Sequence, residues 1–144
     1  MKVVKAYPPN YAKIVSVLPG AVKHGIVFTY GDTVYAPSGV ELPPEIMAHE
    51  AMHCQRQHDP EAWWAQYLAD PQFRMVEELY AHAVEYEFLA SQGNRHQRRG
   101  ALVLVAKKLS APLYGRLLTP AQAQKLIRKL VSEAQKETNA DLAG

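Results

Sequence analysis

The sequence predicts an α+β fold that is mostly helical, in a single domain that spans residues 1–144. Three observations support this prediction. Residues 26–35 have the β-branched and aromatic pattern of a hairpin, whereas helix-start signals recur through the rest of the chain. Hydrophobic residues make up 48% of the chain and charged residues 21%, as in an ordinary globular protein. A chain of 144 residues can bury a hydrophobic core without covalent cross-links.

The same composition excludes several other classes of protein. Disorder, collagen and a disulfide scaffold do not fit these proportions of residues. The single cysteine, Cys54, cannot form an internal disulfide. Apolar runs such as residues 101–106 are too short for a transmembrane helix, and the N-terminus lacks the apolar region of a secretory signal. We therefore expect a soluble, cytoplasmic protein that does not enter a membrane.

The N-terminal part combines one helix with the hairpin. Apolar residues at helical spacing predict a helix over residues 9–18, which a proline and a glycine end. Two β-rich runs, 26–30 and 33–35, flank Gly31-Asp32. Glycine followed by aspartate suits a two-residue hairpin turn with glycine at its first central position.

Beyond the hairpin, a loop leads to three helices. Residues 36–44 contain three prolines and a glycine, and they predict a loop with one more short strand at 40–42. A helix should then run from residue 44 or 45 to about residue 57. Asp59 and Asp70 each precede a proline, so each suits the N-cap of a further helix. The second of these helices should end near Gly93.

The C-terminal part is basic and helical. Residues 95–100 predict a basic loop and residues 101–109 a helix. Thr119 and Gln122 form a capping-box pattern for a last helix, whose final six or seven residues we expect to fray. Residues 1–91 carry 6 basic and 11 acidic side chains, net −5, whereas residues 92–144 carry 10 basic and 3 acidic ones, net +7.

That basic part has two interpretations. It is a solvated face of two helices, or it meets nucleic acid, an acidic partner or anionic lipid. Arg95, Arg98 and Arg99 lie close together with His96, but the chain carries no nucleic-acid fold signature. We therefore do not expect nucleic acid as a partner, and a DNA-binding regulator remains the weakest of the hypotheses.

Residues 49–53 carry the motif from which the functional prediction starts. They read His-Glu-Ala-Met-His, an HExxH pattern. Residues four apart share one face of a helix, so the imidazoles of His49 and His53 can converge on one metal ion. Glu50 flanks that site and can act as a general base without ligating the ion. Chance gives about 0.02 matches to the pattern in a chain of this composition.

A catalytic zinc site usually has three protein ligands and a water. The predicted helix that follows Asp70 offers candidates for the third ligand, and several lie on one helical face through their i, i+3, i+4 and i+7 spacing. Ala81 on that face leaves room for a second helix to approach. The candidates from this helix are Glu77, Glu78, His82, Glu85 and Glu87.

The HExxH pattern followed by a glutamate about 24 residues further on resembles gluzincin metallopeptidases. Glu78-Leu79-Tyr80-Ala81 followed by Glu85 is similar to the glutamate helix of that clan. The size resembles the minigluzincins. Short peptidase-like proteins of tailed phages and prophages also place a Tyr-Gly-Asp-Thr turn, here Tyr30 to Thr33, before the active helix. The resemblance covers about residues 26–90.

The resemblance implies a minimal zincin-like domain, with a catalytic core over about 26–92 and a basic helical C-terminal part over about 95–144. It implies Zn²⁺ held by His49, His53 and Glu78. Glu77 stands at another spacing that the clan uses, so it remains an alternative third ligand. The hairpin strands are expected to bind substrate in extended form.

The sequence also departs from the clan in one respect. Many members have an aspartate four residues after the third ligand, where it orients the first histidine. Here His82 occupies that position, so Glu85 or a backbone carbonyl is the expected acceptor. His82 could instead replace the carboxylate as a ligand. The candidates for stabilising the oxyanion are Tyr80, Tyr86, Tyr114 and His96.

The resulting hypothesis is a small zinc metallopeptidase that cleaves peptide bonds in a peptide or protein substrate, with Glu50 as general base. The alternative is a zinc-stabilised structural or assembly protein of a phage or prophage particle, which would have phage structural proteins as partners and could be virion-associated. In a phage, the peptidase would act in the host cytoplasm. We expect Cys54 to be a small core residue rather than a ligand and His58 to be a structural or surface residue. Trp63, Trp64 and Tyr67 are expected in the core or an interface rather than in a stacking platform for bases.

Overall fold

The computed structural model describes residues 1–143 and confirms an α+β fold that is mostly helical. In this part of the chain, three short strands form one sheet in the order β1-β3-β2: β1 (Lys2–Val4), β2 (Phe28–Tyr30) and β3 (Thr33–Tyr35). The predicted hairpin is β2 and β3, although β2 begins at Phe28 and leaves residues 26 and 27 outside the strand. Strand β1, which the sequence did not predict, pairs parallel to β3.

The hairpin turn has the predicted geometry. Tyr30 pairs with Thr33, so Gly31 and Asp32 form a two-residue turn. Gly31 has a φ of 65°, a conformation that costs glycine little. Its amide donates to Gln57 Oε1 at 2.8 Å, which fixes the turn against the end of the next helix.

Within residues 1–143, six helices follow the predicted order, with short 3₁₀ turns at Pro19–Val22 and Pro112–Tyr114. They are α1 (Tyr11–Val17), α2 (Pro44–Arg56), α3 (Pro60–Ala69), α4 (Pro71–Ser91), α5 (Arg95–Leu109) and α6 (Pro120–Ala143). The Asp59 and Asp70 side chains cap α3 and α4, as predicted. Thr119 and Gln122 form the predicted capping box. Within residues 1–143, none of the helices combines the length and apolar character that a membrane crossing requires.

Two local predictions were wrong. Residues 40–42 form irregular backbone rather than a strand. Residues 95–100 are the first turns of α5 rather than a loop, because Asn94 and Gln97 form a capping box that starts the helix there. Helix α6 continues to Ala143, and the fraying of its last residues stays a prediction. Gly144, also part of that prediction, lies outside the described residues.

The core consists of two separate apolar clusters. We call the first the aromatic cluster: Ile14, Leu18, Ala21, Phe28, Trp63, Trp64, Tyr67 and Leu68. We call the second the aliphatic cluster: Ala83, Leu102, Val105, Ala106, Leu109, Ala123, Ile127 and Val131. Helix α4 packs against α2 and α3 as well as α5 and α6. It therefore joins the two clusters and carries the buried polar residues that lie along it.

Candidate metal centre

Helix α2 presents the HExxH motif to the interior. Its N-terminus is set by Pro44 at the first turn, with Glu45 near the positive end of the helix dipole. His49 and His53 are both buried, and their ring centroids lie 4.9 Å apart. The four-residue spacing thus places the two imidazoles side by side, as the sequence predicted.

Helix α4 brings Glu78 to these two histidines. Glu78 Oε1 lies 3.2 Å from His53 Nε2, and Glu78 Oε2 lies 3.6 Å from His49 Nε2. Ala81 is fully buried one turn further on, in the helix that packs against α2. Two atoms that ligate one tetrahedral zinc ion at about 2.0–2.1 Å lie about 3.4 Å apart. Both separations, each to a different oxygen of Glu78, are close to this value.

Two buried polar atoms at this point are unsatisfied. Glu78 Oε2 and His53 Nδ1 have no hydrogen-bond partner among residues 1–143. A buried charged oxygen without a partner is costly. Because Glu78 Oε2 faces His49 Nε2, a cation bound between them would satisfy it.

A different donor set has the shortest mutual distances. Among residues 1–143, the group whose ligand atoms all lie within 4.8 Å of one another is His49, Glu78 and His82, and His53 is not part of it. However, His82 is already engaged, with Nδ1 3.1 Å from Glu85 Oε1 and Nε2 3.1 Å from the Tyr114 hydroxyl. His53 makes no such contacts apart from Glu78. This difference favours His53 over His82 as the second imidazole ligand.

Glu77, the alternative third ligand, has other partners. Its Oε2 lies 2.7 Å from Arg56 Nη2, and its Oε1 accepts the Trp63 indole N–H at 2.6 Å. The carboxylate is therefore neutralised and hydrogen-bonded within the interface between α2, α3 and α4. Its role there is structural.

Glu85 takes the place of the aspartate expected behind the first histidine. One oxygen, Oε1, lies 3.0 Å from His49 Nδ1 and 3.1 Å from His82 Nδ1. The other, Oε2, accepts from Lys108 Nζ at 2.6 Å. Burial opposes the charged form, but these three partners outweigh it and lower the pKa of Glu85. An ionised Glu85 holds the proton of His49 on Nδ1 and leaves Nε2 free to bind metal.

The carboxylates also change the titration of the histidines. Burial lowers the pKa of His49, but its contacts with the carboxylates of Glu78 and Glu85 and the charge of Glu50 outweigh burial and raise it to about 10. The pKa of His82 is lowered, first by burial and then by the positive charge of His49. Burial raises the pKa of Glu78, but the histidines overcome this effect and hold it well below its usual range. Without a metal, a proton on His49 compensates the carboxylates.

Glu50 is held beside the histidines by the hairpin. Thr29 Oγ1 donates to Glu50 Oε2 at 2.5 Å. The Thr29 carbonyl in turn accepts from the Trp64 indole at 2.9 Å and from Gln57 Nε2 at 3.0 Å. The general-base candidate is therefore anchored to β2, which the aromatic cluster fixes in place.

Two cavities meet at His49 and Glu50. An inner cavity of about 80 Å³ also contacts His53, Glu78 and Tyr67. An outer cleft of about 400 Å³ is largely apolar. Its lining includes Ile26, Val27, Val40, Leu42, Ile46 and Leu113. A substrate in the outer cleft would reach Glu50 and His49 directly.

The structure also separates the other candidates. Among the four residues suggested for the oxyanion, Tyr114 lines both cavities. Tyr80 instead lies under the Arg56 guanidinium, Tyr86 packs on the aliphatic cluster, and His96 is exposed. As expected, His58 is a surface residue, and the tryptophans and Tyr67 belong to the core. Cys54 is partly buried.

Sequence reasoning missed three residues of the site. Tyr67 donates its hydroxyl to Glu78 Oε1 at 2.9 Å, Thr29 holds Glu50, and Lys108 holds Glu85. None of them stands at a motif spacing from residues 49–53. Their approach depends on how the helices and the hairpin pack.

Comparisons with known proteins add no family to this description. No protein-family model, no curated protein and no solved structure matches the chain.

Proposed function

We propose that this protein is a zinc-dependent hydrolase, a small metallopeptidase with a zincin-like site formed by His49, His53 and Glu78. The observation that carries the proposal is the buried, unsatisfied Glu78 Oε2, which lies 3.6 Å from His49 Nε2. Two imidazoles and one carboxylate, with an adjacent glutamate, are the donor set of a catalytic rather than a structural zinc site.

When bound, zinc would lower the pKa of a water molecule and polarise a carbonyl group. Glu50 would take a proton from the attacking water and deliver it to the leaving nitrogen. The Thr29 hydroxyl occupies one oxygen of Glu50 and so orients the carboxylate. Glu85 would keep His49 in the ligating tautomer.

Tyr114 is the residue proposed to stabilise the oxyanion. Its hydroxyl lies 3.1 Å from His82 Nε2 at the wall of both cavities. Burial and the charges of nearby carboxylates raise the pKa of Tyr114 well above its usual value. The phenol therefore stays protonated and retains a donor for a developing negative charge.

The experiment combines metal analysis with hydrolysis of a panel of quenched fluorescent peptides. We expect one zinc per chain, which His49→Ala and His53→Ala lose and which His82→Ala retains. Glu50→Gln should keep the zinc and lower the hydrolysis rate by about 10²–10⁴-fold, the usual contribution of a general base. Glu87→Gln, the same change at an exposed glutamate of α4, is the matched control.

Two outcomes would contradict this proposal. Full hydrolysis by Glu50→Gln would remove Glu50 from the reaction. A stoichiometric zinc in a wild-type chain that cleaves no peptide would instead support the alternative, a zinc-stabilised structural or assembly protein of a phage or prophage particle. The burial of His49, His53 and Glu78 is the observation that favours this alternative.

A further inference from the structure

Lys108 connects the basic C-terminal part of the chain to the candidate metal centre. Its Nζ lies 2.6 Å from Glu85 Oε2. The Lys108 side chain is 41% exposed and that of Glu85 only 1%, so the lysine reaches the carboxylate from the outer cleft. No other residue of α5 forms an ion pair with the centre among residues 1–143.

The two oxygens of Glu85 have different partners. Oε1 is shared by His49 Nδ1 and His82 Nδ1, whereas Oε2 is bound by Lys108. A carboxylate that can rotate would not hold two imidazoles at one oxygen. The contact with Lys108 removes this freedom because it fixes Oε2.

The position of Lys108 is itself fixed by packing. Val105, Ala106 and Leu109 surround it along α5 and are at most 2% exposed. They belong to the aliphatic cluster, which α5 forms with α4 and α6. The lysine therefore extends from a rigid helix, and only its own side chain is free to move.

We propose that Lys108 is a positioning residue for the metal centre: it holds Glu85 so that His49 presents Nε2 to the ion, and it thereby raises the affinity for zinc. The inference rests on the proposed zinc site. It assigns to the basic C-terminal part a direct contribution to the metal centre, a role that the sequence did not predict.

The test measures zinc affinity of the full chain by competition with a chromophoric chelator. Lys108→Met keeps the apolar stem and removes the charged donor. We expect its dissociation constant for zinc to rise by about three- to tenfold, less than the ten- to hundredfold typical when a direct partner of a ligand is lost. Lys107→Met, at the exposed neighbour, should leave the affinity unchanged.

Two further measurements distinguish positioning from a loss of folding. The Nδ1 nitrogen resonances of His49 and His82 in the zinc-free protein should shift in Lys108→Met and remain in place in Lys107→Met. Lys108→Arg, which keeps a charged donor, should restore most of the affinity even if the methionine variant unfolds.

Failure of the Lys108 inference can be distinguished from failure of the proposed function. Equal zinc affinity in wild type and Lys108→Met, or an arginine variant as weak as the methionine variant, would overturn this inference alone. A wild-type chain that binds no zinc would overturn both the inference and the proposed metal site.

Discussion

The two apolar clusters of this protein differ in their relation to polar groups. In the aromatic cluster, Trp63 donates to Glu77, Tyr67 donates to Glu78, and Trp64 donates to the Thr29 carbonyl. The aliphatic cluster contains only alanine, valine, leucine and isoleucine. The first cluster therefore fixes the polar residues of the candidate site, whereas the second holds helices together by hydrophobic burial alone.

This difference predicts that the two regions respond to different perturbations. A change in the aliphatic cluster should alter stability whether or not a metal is bound. A change in the metal centre should alter the aromatic cluster first, because Tyr67 donates to Glu78 and the Trp63 ring packs against the His53 ring. Helix α4 packs against the helices of both regions, so the two regions are not fully independent.

The largest expected effect is on stability and comes from the aliphatic cluster. Ile127 is fully buried, and Ile127→Ala should lower the free energy of unfolding by about 2–5 kcal/mol, through lost burial and the cavity that remains. Urea unfolding with and without zinc measures the loss, which should be the same in both. Lys129→Ala, on the exposed face of α6, should change it by no more than about 0.5 kcal/mol. A loss at Ile127 that depends on zinc would contradict the comparison.

The second prediction is that zinc stabilises the fold and changes the environment of the aromatic cluster. Zinc at 100 to 1,000 times its dissociation constant should stabilise the fold by about 2.7–4.1 kcal/mol, and a chelator should remove this gain. The protein has 2 tryptophans, Trp63 and Trp64, and both lie in the aromatic cluster. Tryptophan fluorescence should therefore change on zinc removal, while helical circular dichroism changes little.

His49→Ala is the control for that experiment, since it removes a ligand and should abolish the response to chelator. Loss of half or more of the helical signal on chelation would show that the aliphatic region also depends on the metal. The two clusters would then unfold as one unit.

Most of the correct predictions about the fold came from short-range patterns in the sequence. The caps Asp59 and Asp70, the Gly31-Asp32 turn and the shared face of Glu78 and Glu85 each follow from neighbours within one or two turns of chain. Such features depend on short-range geometry, which a sequence displays directly. The start of α5 was an exception, as was the strand expected at 40–42: the basic composition of residues 95–100 was interpreted as a loop although Asn94 caps a helix.

The features that the sequence did not predict all depend on distant contacts. Strand β1 is three residues long and exists only through its pairing with β3. Lys108 lies 23 residues from Glu85 and Thr29 lies 21 residues from Glu50. Nothing in the residue types fixes these approaches before the helices pack. The zinc ion and the peptidase activity remain predictions.

The last predicted difference is a pH dependence that distinguishes the metal centre from the aliphatic region. In the zinc-free protein the pKa of His49 is raised to about 10 from 6.5. A raised pKa contributes stability that is fully present below pH 6.5 and is lost as the pH rises through about 10. The zinc-free protein should therefore lose stability across this window, whereas the zinc-bound protein, with His49 already deprotonated at Nε2, should not.

The same shift predicts that zinc displaces a proton. At pH 8 each ion should release about one proton from His49, because metal binding requires a neutral imidazole. Calorimetry in buffers of different ionisation enthalpy measures this number. An unperturbed histidine would release almost none at that pH, and His82 should also release none because its pKa is lowered. If zinc bound at pH 8 with no proton release, His49 would not be the protonated partner of Glu78 and Glu85, and the charge balance inferred for the metal-free centre would be wrong.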